Sequence, residues 1–173
     1  MSILTNTPTN KNFLSPLGFR FFIKKTPGVN YFVQSASIPS ISLGTAQVST
    51  PFVRVPFPGE KLEFGDFTIT FRVDEELKNY LELYNWMYGL GKPKSFEESK
   101  ALYGAPGMGN GPISDATLIV LNSAKNPVIT INFVNMFPSM LSELVFDTRQ
   151  TSVNYVDCAA TFTYESFTFT TGV

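Results

Sequence analysis

The chain has 173 residues, enough for one domain with a substantial core and too few to expect two. Hydrophobic residues make up 43% and charged residues 16%, so much of the polar surface must come from Ser, Thr, Asn and Gln, an unusual coat for a free monomer. Histidine is absent and Cys158 is the only cysteine, which excludes an intrachain disulfide, a His/Cys metal cage and an imidazole-dependent triad, and no cofactor is called for.

The net charge of −1 conceals an asymmetry. Residues 1–61 carry six Lys/Arg and one acid, whereas 62–173 carry seven and thirteen. Either the charges mix on one folded surface, or a basic face of one copy meets an acidic face of the next. The 17 Phe and the 14% aromatic content suit pleated sheets and contact surfaces. The start lacks a basic n-region and an apolar h-region, and no apolar run reaches the roughly 18 residues of a membrane span, so a soluble, unexported product is expected.

Residues 1–12 are polar, contain Pro8, and are expected to be a flexible segment ahead of a single β domain over 13–173. Phe19 to Lys25 reads as a strand with Phe19, Phe21 and Ile23 on one face, and Pro27-Gly28 breaks it. Tyr31 to Ser37 resumes as a strand, which predicts a hairpin. From Ser40 to Gly65, Pro51, Pro56, Pro58 and Gly59 interrupt apolar pieces. This stretch is too apolar for a solvent loop, and it reads either as an arm or edge hairpin lying on another surface or as a long loop over its own domain.

Phe67, Ile69, Phe71 and Val73 alternate with Thr68, Thr70 and Arg72, the clearest strand signal in the chain. Asp74 offers an N-cap, Glu75 and Glu76 suit a helix start, and Leu77, Tyr80, Leu81, Tyr84, Met87 and Tyr88 recur at helical spacing up to Gly89 and Gly91. A connection follows over 92–114, with a short helical turn expected near 95–102 and a Gly-rich run over 103–112. Ala116 to Asn122, the turn SAKNP and Val128 to Asn135 predict a second hairpin that Pro138 should stop. Met140 to Asp147 is expected to add a strand. In the terminal β region the apolar parity shifts between Phe162/Tyr164 and Phe167/Phe169, which predicts a bulge near Glu165. The tally is about seven strands and one principal helix.

Catalytic signals are scarce. Gly107, Gly109 and Gly111 lack the Lys-Ser/Thr of a P-loop. The acids Asp74, Glu75, Glu76, Glu97, Glu98, Asp147 and Glu165 could in principle pair for glycoside hydrolysis, but capping and solvation account for most of them. Cys158 has no imidazole to activate it and reads as a small buried side chain. No basic cluster exceeds Lys24-Lys25, so tight nucleic-acid binding is not expected.

PFPGEKLEFGDFTITFRVDEELKNYLELYNWMYGLG, with SASIPSISLG before it and NMFPSMLSELVFD and ATFTYESFTF after it, resembles the tail tube proteins of long-tailed bacteriophages. The ordered set spans most of 13–171. The resemblance implies a mainly β fold, a β-sandwich or split barrel with one flanking α-helix, and a non-enzymatic structural virion protein. It further implies six-fold rings, stacked around a channel through which double-stranded DNA passes non-specifically during genome ejection, with assembly in the host cytoplasm. Sheath, baseplate or neck, and tape-measure proteins are the implied partners. A baseplate initiator or a neck or terminator adaptor of the same fold is the alternative, and a carbohydrate-binding β-sandwich a more distant one. Phe52, Arg54, Pro56, Phe57, Glu60 and Lys61 are the candidates for inter-subunit or ring-stacking contact. Thr68, Thr70, Arg72, Thr161 and Thr163 are the candidates for lining the channel.

Overall fold

The computed structural model describes residues 11–93, 111–149 and 154–171. Most of the Gly-rich run, the helical turn near 95–102 and most of the N-terminal segment expected from the sequence lie outside these residues. The described chain forms nine strands and two helices: β1 (Phe19–Ile23), α1 (Pro27–Phe32), β2 (Val33–Ala36), β3 (Ile41–Ser49), β4 (Arg54–Phe64), β5 (Phe67–Arg72), α2 (Lys78–Gly91), β6 (Ser114–Leu121), β7 (Pro127–Leu141), β8 (Asp157–Thr163) and β9 (Ser166–Thr171). Seven strands make one antiparallel sheet in the order β1-β6-β7-β8-β5-β2 with β9 also on β7, and β3-β4 stand apart as a two-stranded hairpin.

The large sheet folds over on itself. Phe21 of β1 lies 5.4 Å from Phe67 of β5, although three strands separate β1 from β5 in the sheet order. Phe67 also meets Phe133 of β7 at 4.6 Å and Phe162 of β8 at 6.3 Å. These rings, with Ile69, Phe71, Ile131, Met136 and Ala160, form one buried core between the two halves. Alternation along β5 and β8 creates it, since the odd residues of β5 and the even residues of β8 are buried while their neighbours face out.

β7 is the hinge of the fold. Its first part pairs with β6 and β9, and its last part, from Phe137 to Leu141, pairs with β8. Pro138 therefore does not stop the strand as expected. It sits buried opposite Phe162, just before a register shift, and the left-handed backbone of Asn135 (φ 55°) turns the chain ahead of it. Only Met140 and Leu141 of the strand expected over 140–147 are extended in the sheet, as the end of β7. The parity shift near Glu165 is real, but it marks a change of sheet half from β8 to β9 rather than a bulge within one strand.

The hairpin expected between Phe19 and Ser37 does not form. β1 pairs with β6, β2 pairs with β5, and helix α1 carries the chain between them. The Asn30 side chain occupies both backbone groups of Ile23, accepting from its N–H at 3.0 Å and donating to its carbonyl at 3.1 Å. The Gly28 N–H donates to Glu82 of α2 at 3.0 Å, which satisfies an orphan donor at the helix start.

Helix α2 begins four residues after Asp74. Asp74 opens a turn, and its carboxylate accepts from the Lys78 N–H at 2.7 Å, while Leu77 takes a left-handed conformation (φ 57°) as the capping residue. The buried face is Asn79, Leu83, Trp86 and Gly89, rotated from the stripe expected. Asn79 can occupy that face because its side-chain N–H donates to the Arg72 carbonyl at 2.8 Å and its oxygen accepts from the Asp74 N–H at 3.3 Å. Tyr84 and Leu81 are left exposed, and Tyr84 stacks on Tyr88 at 5.7 Å.

Candidate assembly surfaces

The outer face of β5 and β8 carries the five residues picked as channel candidates. Antiparallel register places Thr68 opposite Thr161 with the hydroxyls 3.5 Å apart, and Arg72 opposite Asp157. Thr70 stands between them, opposite Ala159, with Ser35 of β2 on its other side. Thr163 donates to Asp66 at 3.4 Å, and it faces Phe137 of β7. Arg72 and Asp157 form an ion pair at 3.2 Å, and the guanidinium lies 4.6 Å from the centre of the Tyr155 ring. Both partners of Arg72 lie some 80 residues further along the chain, so local sequence gives no sign of them.

This half of the sheet has two open edges. β2 pairs only with β5, and among the described residues no strand pairs with the other side of Phe137–Leu141. Unpaired edges of this kind template pairing with another chain unless they are covered.

Most of residues 40–65 form the hairpin β3-β4, the hairpin alternative rather than a long loop over the domain. Every residue of β3 is exposed. Cross-strand partners share a face, so Ile41/Phe64 and Leu43/Leu62 form one apolar face, and Ala46/Phe57 and Val48/Val55 another, each backed by polar pairs such as Ser42/Glu63 and Ser49/Arg54. An irregularity after Leu43, where Gly44 faces a longer stretch of β4, shifts the apolar series on β3 from odd to even positions. Gly59 is required there, since a Cβ would overlap the carbonyl oxygen of Gly44. At the base Phe64 packs on Phe167 at 5.3 Å and Tyr164 at 6.3 Å, which anchors the arm to the body. At the tip Phe52 is 95% exposed. Of the contact candidates, Phe57 lies on an apolar face, Arg54 and Pro56 lie in polar pairs, and Glu60 and Lys61 sit in the irregular stretch.

Cys158, Asp147 and Glu165 each have a partner within the fold. Cys158 is buried, burial pushes its thiol pKa up, and Ser142 hydrogen bonds oppose that rise. Asp147 is held below the usual carboxylate range by Arg149, and Glu165 accepts from Asn135.

The described residues thus make a mainly β protein with a folded-over antiparallel sheet, two open edges on one half, a polar outer face and an exposed apolar arm. No family model matches the chain. It is 33% identical over 137 residues to the tail tube terminator protein of Enterobacteria phage T4, a match covering 78% of this chain and 74% of that one. The chain belongs to the phage tail tube protein family. Among solved structures it resembles the tube-terminating cap of the anti-feeding prophage, with a TM-score of 0.62 at 18% identity over 99% of this chain and 100% of that one. It is similar as well to the sheath/tube terminator of an extracellular contractile injection system, with a TM-score of 0.58 at 17% identity, covering 93% and 99%.

Proposed function

We propose that copies of this chain close into a ring at the end of a tail tube, with the β2-β5-β8 face lining the channel through which DNA passes. The observation that carries the ring is the pair of open edges, β2 and the end of β7, on one half of the sheet. Joining each β2 edge to the β7 edge of the next copy pairs both of these edges in a closed ring, while β1 and β9 each keep an unpaired side among the described residues. A copy number of six is what the family resemblance implies. Thr68, Thr70, Arg72, Thr161 and Thr163 then face the lumen. The hairpin residues Phe52, Arg54, Pro56, Phe57, Glu60 and Lys61 contact the neighbouring ring or the adjoining tail proteins, tube and sheath among them.

The terminator position is supported by the relative that is 33% identical. A repeating tube subunit is the second reading, favoured by the arm, whose apolar faces suit repeated stacking. Purified protein should give discrete rings in native mass spectrometry and electron micrographs, and particles should contain one ring's worth of copies. Tubes of indefinite length, or many rings per particle, would move the chain to the repeating position. A protein that stays monomeric at high concentration would remove the ring itself.

A further inference from the structure

We infer that Asp157 and Tyr155 shield Arg72, so that the guanidinium does not hold a passing polyphosphate. The inference rests on the reading that the β2-β5-β8 face lines the channel. Of the strands that form this face, Arg72 is the only Lys or Arg; Ser35, Thr68, Thr70, Ala159, Thr161 and Thr163 are uncharged. In a ring, one bare Arg72 per copy would make a collar of cations at a single height. Duplex DNA offers about one phosphate charge per 1.7 Å of axis, so every member of such a collar would find a partner. Arginine–phosphate contacts are strong and frequently bidentate, and several acting together would brake the DNA.

The geometry opposes this at each copy. The Asp157 carboxylate sits 3.2 Å from the Arg72 Nε, making the pair neutral. A phosphate approaching the guanidinium therefore also meets a fixed negative charge. The Tyr155 ring, 4.6 Å from Cζ, covers part of the cation. Stability alone does not account for the pair: the side chains are 38% and 45% exposed, and exposed ion pairs contribute about 0–1 kcal/mol.

The test uses assembled rings of the wild type, Asp157→Asn, Tyr155→Leu and the double variant Asp157→Asn/Arg72→Gln, each mixed at low salt with a linear duplex and with a covalently closed circle. Asp157→Asn rings should retain the linear duplex about tenfold or more tightly than wild type, with a salt slope steeper by roughly one unit for each Arg72 that reaches a phosphate. Tyr155→Leu, which leaves the ion pair in place, should give a smaller, severalfold rise. The double variant should return to wild-type behaviour. If neither single variant retains duplex more tightly than wild type, the shield is overturned. A closed circle cannot thread a preformed ring. If Asp157→Asn rings hold it as well as linear DNA, and the double variant abolishes both, the shield stands and the channel-facing assignment falls.

Discussion

Tyr164 shows how one side chain joins the arm to the body. Its hydroxyl donates to the Gly65 carbonyl at 2.7 Å, and its ring packs against Phe64, Phe133 and Phe167. Burial, and then the nearby Asp66 charge, raise its pKa above the ordinary 10.0. A phenol whose pKa is raised on folding contributes stability that is complete below the unfolded value and is lost as pH rises through the folded one. The wild type should thus lose stability above about pH 10, and Tyr164→Phe should flatten that part of the loss. At neutral pH the same substitution should cost about 1 kcal/mol, because the Gly65 carbonyl loses its partner. Denaturant titrations of both proteins across pH, with tyrosinate absorbance followed in parallel, check both statements. Asn79 makes a sharper demand. Asn79→Leu would leave the Arg72 carbonyl without its donor in a buried setting, and urea unfolding should report a loss of about 1–3 kcal/mol.

At the scale of elements, legibility followed whether a partner was local. The alternation of β5 and the hairpin of β6 and β7 could be read directly, since each carries its own period or its own turn. β1 and β2 misled because both read as strands while their partners, β6 and β5, lie far along the chain. The face of α2 was misread because apolar residues surround most of it, and a satisfied Asn79 takes a buried place that hydrophobicity alone assigns elsewhere. The polar face was half legible: parity put Thr68, Thr70 and Arg72 together, but only the β5–β8 register brings Asp157 beside Arg72. The hairpin gives this scale its own prediction. Phe57→Ser with Leu62→Ser changes two exposed residues outside the core, so the unfolding free energy should move by no more than about 0.5 kcal/mol per site. Stacking of rings on one another should fall sharply while single rings persist, as seen by analytical ultracentrifugation. Unimpaired stacking would show that the apolar arm is not a contact surface.

For the whole molecule the question is whether the sheet edges close the ring. Gln34 sits at the register shift between Val33 and Ser35, where β2 has no ladder partner on β5. Proline there removes a backbone N–H that the β2–β5 ladder does not use, and Val33 before it already has the extended backbone that a following proline favours (φ −64°, ψ 124°). Gln34→Pro should therefore keep the β2–β5 pairing and the monomer's unfolding midpoint, yet leave the edge a poor template for the next copy. The expected result is folded monomer in native mass spectrometry where the wild type gives rings. Phe57→Ser/Leu62→Ser, by contrast, should still form single rings if the arm serves stacking and the edges serve closure. Rings from Gln34→Pro at wild-type yield would transfer the closing role from the β2 edge to the arm, and the β7 edge would then need another cover.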